Sequence, residues 1–572
     1  MKFKKKNLFK FLQVNISECI VGLLCLILLI SHTAYVFMTH QFPEMDEHLY
    51  IGIASEFYKI LQNPSWDILS RMNQYLVDHP PFRPPVYPLT ILPLLLIFGI
   101  SNAYKLALWV NGIYFIATMI FLYFLAREYM SRASSVIATA MFASFGWTLF
   151  YLHFTYSETA TTTFIVLSTL LLVRSKNFEN RKYSILFGLS LAFGILTRWV
   201  VPLFHLGPAL FILVSFLLQK KNVSKKILKN IALALLIQVP VIIFHYIDRG
   251  VFGTYVTSQA LPGPLWDLVP SQRRNLVSLQ SAAYYFKIIE QLNVFFFAIF
   301  IAGLSLGIKK IKKYGLFVFG FLLPYLIFSF AIVIKDDRYI VPIYPFVALV
   351  CAIVIEEVRK KYRKTLIFGI SILCALSFLG SFWQIGPLST GLQSILVSMP
   401  IGHPRRIHLV SMVWPPVKEF SNAKQIMKII SDNAVMQGKK NPNVLNLFSY
   451  HPLDNALFSI NNYERIDKFS FQNFVGSSPS AILVADSFTN ADYLLVKSGR
   501  PVDDFFSSNN YILLRIAVDV IVANTTVLDS FTKIATVIIP LDKSNVTIYK
   551  RDKVIEQEEK EKIIKQMEVS LR

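Results

Sequence analysis

Acidic residues are scarce in this chain. Its 572 residues hold 35 Asp and Glu against 57 Lys and Arg, and the four charged types together make up only 16%. With so little charge, 54% hydrophobic residues and a mean hydropathy of +0.50, the composition exceeds what a soluble core of this size needs and belongs to a polytopic membrane protein. Cysteine is also rare. Cys19, Cys25, Cys351 and Cys374 all lie in or beside apolar runs, which excludes a disulfide framework in the polar last third. A Walker loop and a dinucleotide fingerprint are missing, so cytoplasmic nucleotide chemistry has no support. His48, His79, His153 and His245 show no paired spacing, and no metal site is expected. No internal repeat is evident.

The net charge of +22 raises nucleic acid as a partner, but the placement of the basic residues argues against it. They fall in short clusters between apolar runs, as lysine and arginine do when they hold loops on the cytoplasmic side. Runs long enough to span, at about 17–25 residues each, occur near 20–38, 103–126, 133–151, 157–173, 184–199, 201–218, 228–247, 291–308, 315–334, 340–356 and 365–384. The basic clusters at 2–10, 127–132, 174–182, 220–229, 309–313 and 359–364 alternate with them. Eleven transmembrane helices satisfy the pattern, with a cytoplasmic N-terminus in the plasma (inner) membrane. The first run is too long for a signal peptide and no Ala-x-Ala site follows, so it reads as a retained span.

The apolar run 86–100 does not fit as a span, because counting it would invert every later loop. Its roughly 22 Å as a helix falls short of an apolar core of roughly 30 Å, and it carries Pro88 and Pro93. A re-entrant or surface-lying segment explains it better. Residues 1–384 then form a membrane domain with outer loops at 39–102 and 248–290. The second of these loops holds Arg273-Arg274. Residues 385–550 read as an extracytoplasmic mixed α/β domain, with a helix over 417–436 and strands at 444–448, 481–484, 493–496, 511–516 and 535–539. Residues 551–572 form a charged helical tail.

The candidate chemistry lies on the outer side. Asp46 and Glu47 stand adjacent, just past the first span. A positioned carboxylate there can take the proton of an acceptor hydroxyl, or Asp46 can cap a helix over 47–61; one residue can do both. Arg83 sits between two proline pairs in His79-Pro80-Pro81-Phe82-Arg83-Pro84-Pro85. Its planar fork suits a phosphate leaving group, and the alternative is an interfacial anchor. Glu158 opens the fourth span: either it complements that helix's dipole with Ser157 as the cap, or it is a second carboxylate that orients the acceptor or supports a divalent cation. Arg198 and Arg338 sit at outer ends of spans, against the positive-inside bias, where charge is costly and marks function. For Arg338 the neighbouring Asp336-Asp337 offers a local ion pair as the structural alternative.

In order, these pieces resemble the GT-C membrane glycosyltransferases of the protein-mannosyltransferase and aminoarabinose-transferase type (glycosyltransferase family 39-like). The resemblance rests on Asp46-Glu47 with Tyr50, Arg83-Pro84-Pro85 with Tyr87-Pro88, Glu158, Arg198, Arg338-Tyr339 with Pro342 and Pro345, and the closing stretch from Ile539 to Arg551. It covers about the first 360 residues. It implies a polyprenyl-phosphate-linked sugar donor, inverting transfer to a hydroxyl on a lipid, glycan or protein, Asp46 as base, and Glu47 and Glu158 as assisting acids. It further implies Arg83, Arg198, Arg338 and Tyr339 at the donor phosphate. The chain has Arg-Pro-Pro-Val where aminoarabinose transferases typically have Lys-Pro-Pro-Leu, so their particular donor is not implied. A lipid or sugar transporter or flippase is the competing class. It would more often show inverted repeats and mid-span acids.

Overall fold

The computed structural model describes residues 5–39, 47–78, 84–218, 224–243, 292–332, 337–383, 394–397, 405–408, 422–439, 441–447, 470–472, 481–498, 529–539 and 543–571. Asp46, His79, Arg83, the loop 248–290 and the strand expected at 511–516 lie outside the described residues.

Among the described residues, helices occur in each expected apolar run. They are α1 (Lys5–Met38), α2 (Glu47–Gln62), α3 (Ile68–Asp78), α4 (Val86–Phe98), α5 (Ala103–Arg127), α6 (Arg132–Ser144), α7 (Gly146–Leu152), α8 (Glu158–Arg174), α9 (Arg181–Ile195), α10 (Val201–Leu218), α11 (Lys225–Leu236), α12 (Gln238–Val241), α13 (Val294–Lys309), α14 (Ile311–Phe330), α15 (Tyr344–Glu357) and α16 (Lys360–Trp383). Among the described residues five helical stretches, Ile16–Met38, Ile100–Arg127, Ile311–Phe330, Asp337–Glu357 and Lys360–Phe382, are long and apolar enough to cross a membrane by length and composition, and the bent pair α6–α7 makes a sixth. On α1, the side chains of Ile16, Ile20, Leu23, Leu26 and Ile30 face outward, a surface that suits lipid and not water. The helix α4 is 13 residues long, about 20 Å, and packs against α2 through Tyr87, Ile91 and Leu95. It is a short apolar helix rather than a full span.

The bundle is built around α15, where every side chain from Tyr344 to Ile353 is buried. Two glycines allow its close packing. A Cβ on Gly303 of α13 would collide with the Val350 carbonyl of α15, and one on Gly207 of α10 with the Phe319 carbonyl of α14. Small residues at such crossings let helix backbones touch where no water drives association.

The span expected at 133–151 is broken, with α6 and α7 meeting at 60°. Phe145 is extended at the junction. Hydroxyls satisfy carbonyls around the break: Thr148 donates to Phe142 and Phe145, each at 2.8 Å, and Ser377 donates to Ser144 at 2.8 Å. Such a break is tolerated in an apolar bundle only when its backbone groups find partners. A short apolar run carries no sign of the bend, which is why the sequence reads as one span.

Four of the six basic clusters, at 127–132, 174–182, 309–313 and 359–364, meet at one end of the bundle. Arg174 pairs with Glu128 at 2.9 Å, Arg363 with Glu356 at 2.7 Å, and Lys310 and Lys313 with Glu357. Glu158 and Arg174 close opposite ends of α8, whose 17 residues set them about 25 Å apart.

Beyond the bundle, β1 (Ser394–Val397) and β2 (Arg405–His408) pair antiparallel. A five-stranded mixed sheet follows. Its strands β3 (Asn443–Asn446), β4 (Ser470–Gln472), β5 (Tyr493–Lys497), β6 (Phe531–Ile538) and β7 (Asn545–Arg551) stand in the order β4-β3-β5-β7-β6. The helix α17 (Ala423–Met436) lays Ile426, Met427, Ile430 and Ala434 on Val444, Tyr493, Leu495 and Ile548. Residues 481–484, expected as a strand, instead begin α18 (Ala481–Asn490). A four-residue apolar run has no period of its own, and the helical spacing shows only further on, at buried Ala485 and Phe488. The charged tail forms α19 (Gln557–Leu571), which buries Ile563 and packs on α18.

Asp492 ties this sheet together. It accepts from Lys439 at 2.6 Å and from the Asn443 backbone at 2.9 Å, and faces Arg551 at 3.4 Å. Partial burial works to raise its carboxyl pKa, but the Lys439 and Asn443 bonds outweigh this and hold it below the ordinary value. A depressed folded pKa contributes stability that is present above the unfolded value of about 3.9 and is lost as pH falls through the folded value. Amide exchange in β5 and β7 is therefore expected to stay slow from neutral pH down to about 5 and to rise below about 4, once corrected for the intrinsic rate. Asp492→Asn should flatten that rise.

Candidate active site

The site is organised by residues 153–158, a strap that joins α7 to α8. His153 ends α7 with its ring buried and stacked on Tyr35, centroids 3.6 Å apart. Each of the next five residues reaches a side chain from another part of the bundle. The Phe154 carbonyl accepts from Asn111 Nδ2 of α5. Thr155 donates both its backbone N–H and, at 3.0 Å, its hydroxyl to Glu47 Oε1 of α2. The Tyr156 ring lies 5.0 Å from the Arg338 guanidinium carbon. The Ser157 hydroxyl meets the Tyr50 hydroxyl at 2.9 Å. Glu158 binds Arg198 and Arg338.

The last of these contacts forms the charged centre. Arg198 stands in the turn between α9 and α10, its backbone N–H bonded to the Gly194 carbonyl at 2.9 Å. Arg338 belongs to the 3-10 segment Asp337–Ile343 that leads into α15. Arg198 contacts Glu158 Oε1 directly, and Arg338 Nε lies 3.7 Å from the same oxygen. The Glu158 side chain is 2% exposed, against 12% for Arg198 and 16% for Arg338. The Tyr339 ring stacks near both cations, 5.0 Å from Arg198 and 5.6 Å from Arg338, an attraction that strengthens as water is removed. Two guanidiniums and one carboxylate leave one net positive charge. The cations, unlike the acid between them, keep part of their surface open to an incoming anion.

Glu158, Arg198, Arg338 and Tyr339 thus converge as one cluster, although up to 181 residues separate them. Glu47 of α2 reaches the same strap, fully buried and engaged by Thr155. Asp46 is its chain neighbour, and Arg83 immediately precedes Pro84. The start of α4 is held to the Arg198 turn by Val86 N–H donating to the Leu196 carbonyl at 3.1 Å. One expectation is corrected. Ser157 occupies the N-cap position of α8 but makes no side-chain cap, because its hydroxyl is committed to Tyr50. Arg338, with acids beside it in sequence, also meets the distant Glu158. Thr155 and Asn111 were not singled out in the sequence. For Asn111 a signal existed, since an amide inside an apolar span must find partners. Thr155 carried none. Among the described residues no three His, Cys, Asp or Glu side chains come together.

A model of the Alg9-like mannosyltransferase family matches residues 78–388, more than half of the chain. The structure is similar to ArnT from Cupriavidus metallidurans in the apo state, with a TM-score of 0.58 at 12% identity over 92% of this chain and 97% of that one. It is similar also to the same protein bound to undecaprenyl phosphate, with a TM-score of 0.52 at 11% identity over 94% and 99%. A third similar structure is the archaeal oligosaccharyltransferase AglB from Archaeoglobus fulgidus in complex with an inhibitory peptide and a dolichol-phosphate. Its TM-score is 0.52 at 10% identity, over 91% of this chain and 73% of that one. At these identities the likeness is one of fold. Comparison with curated protein sequences gave no match.

Proposed function

The chain belongs to the Alg9-like mannosyltransferase family, and from that premise we propose that this membrane glycosyltransferase moves a sugar from a polyprenyl-phosphate donor to a hydroxyl acceptor, with inversion, on the extracytoplasmic face. The observation that carries the reading is the convergence of Arg198 and Arg338 on Glu158 beside Tyr339. A phosphate approaching the exposed side of the two forks shares them with Glu158, which holds them in place while the site is empty. Arg is suited to this because its fork matches phosphate geometry and keeps its charge at any working pH.

In the reaction the acceptor oxygen attacks the anomeric carbon from the face opposite the phosphate. The new C–O bond forms as the bond to the phosphate oxygen breaks, and the lipid phosphate leaves with the electron pair. Asp46 takes the acceptor proton. Glu47, fully buried, holds the strap through Thr155 and is the assisting acid beside Asp46. Glu158 orients the arginines. The isoprenoid tail lies among the bundle's apolar helices, and the acceptor is a hydroxyl of a lipid, glycan or protein.

The gathering of those four basic clusters at the end of the bundle remote from Glu158 supports eleven spans, a cytoplasmic N-terminus in the plasma membrane, and an extracytoplasmic α/β domain over 385–550. Purified protein given a polyprenyl-phosphate sugar of defined anomeric configuration is expected to yield a glycoside of the opposite configuration, read by NMR. A product that retains the donor's configuration would contradict direct displacement. Movement of the intact lipid across vesicles without transfer would point to a transporter.

A further inference from the structure

One side chain joins the two flanks of this site without belonging to either. Asn111 lies on α5, fully buried, in a span otherwise rich in apolar residues. Both ends of its amide are used. The Tyr87 hydroxyl of α4 donates to Oδ1 at 2.9 Å, and Nδ2 donates to the Phe154 carbonyl of the strap. Tyr87 in turn packs edge-on against Tyr50, centroids 5.3 Å apart, and the Tyr50 hydroxyl reaches Ser157 on the same strap. The contacts close a ring: Asn111, Tyr87, Tyr50, Ser157, and back along the strap to Phe154.

The ring's position gives it a consequence for the chemistry. Tyr87 is the second residue of α4, beside Val86, whose N–H donates to the Leu196 carbonyl of the Arg198 turn at 3.1 Å. Phe154 lies four residues before Glu158, which holds Arg198 and Arg338. We propose that Asn111 is a positioning residue for the glycosyl transfer, fixing the spacing between the start of α4, which is bonded to the Arg198 turn through Val86, and the strap that carries Glu158. This rests on the donor-phosphate reading of that cluster. A carboxamide is required because it accepts at one atom and donates at the other. Aspartate keeps an acceptor for Tyr87 but offers Phe154 no donor, and alanine loses both.

The two bonds act in series along one arm of the ring, so breaking either opens that arm and breaking both adds nothing further. That separates positioning from packing, where losses add. Tyr87→Phe and Asn111→Asp are each expected to raise the donor KM by about two- to tenfold, the range of one neutral hydrogen bond, with the acceptor KM unchanged. The double variant is expected to match the worse single variant. Hydrogen exchange over 153–158 should quicken in all three while the sheet strands β3 and β5 keep their protection. Tyr87→Phe preserves the ring and its packing, so the comparison survives if Asn111→Asp fails to fold.

Additive effects in the double variant, an unchanged donor KM, or a strap whose exchange does not move would each overturn the proposal. The exchange measurement needs no substrate. A strap that loosens as expected in a protein that never uses a polyprenyl-phosphate sugar would instead fail the functional reading, and the role assigned to Asn111 with it.

Discussion

Asp46→Asn is expected to abolish sugar transfer while leaving the lipid phosphate bound. The substitution keeps the size and much of the hydrogen bonding of the side chain but removes its capacity to take a proton. General-base catalysis contributes about 10²–10⁴-fold, so kcat should fall by that factor with the donor KM unchanged. The competing role for Asp46, a cap on α2, gives a different result. Asparagine caps a helix about as well as aspartate, so a residue that only caps would leave turnover near the wild-type value. Steady-state kinetics on the Asn variant, with thermal stability measured alongside, separates the two. Glu47, the neighbour of Asp46, is fully buried and taken up by Thr155.

Arg198→Gln is expected to weaken donor binding by about 30- to 300-fold. Truncating one member of a buried charged contact costs about 2–5 kcal/mol, and the lower part of that range applies because Arg338 still faces the phosphate. The loss should fall on the donor KM. The same pair also has a plain structural reading, in which Arg198 only neutralises Glu158. Breaking a buried ion pair on one side is destabilising, at about 3–5 kcal/mol, whereas replacing both charges is often tolerated. Combining Arg198→Gln with Glu158→Gln therefore decides between them. A structural pair would regain both stability and activity in the double variant. A phosphate-binding pair would regain stability and keep the raised donor KM.

Much of this was legible in the sequence because lysine and arginine placement is a direct record of topology. The same counting that set the spans put Glu158, Arg198 and Arg338 on one side of the membrane, and the structure brings them into contact. What charge counting cannot give is the partner. Asp336-Asp337 lay beside Arg338 in sequence, yet the contact with Glu158 crosses the bundle and depends on how α8 packs against the segment before α15. The bend between α6 and α7 was hidden for a related reason. Its causes are hydroxyl bonds from Thr148 and Ser377 to carbonyls, and threonine and serine are ordinary residues in apolar spans. In the sheet, α17 was legible from its apolar stripe, whereas the first turn of α18 read as a strand because a short run of Ala, Ile, Leu and Val suits either state. β7 lay in the closing stretch that carried the resemblance, but its pairing with both β5 and β6 follows from tertiary contacts alone.

The central claim is that Arg198 and Arg338 hold the phosphate of the lipid donor. The most direct test is equilibrium binding of undecaprenyl phosphate, with no sugar and no acceptor, to the purified wild type and to the folded double variant carrying Arg198→Gln and Glu158→Gln. Saturable binding to the wild type that weakens by about 30-fold or more in the double variant is the predicted result. Equal affinity for the two proteins would contradict it and return the cluster to a structural ion pair.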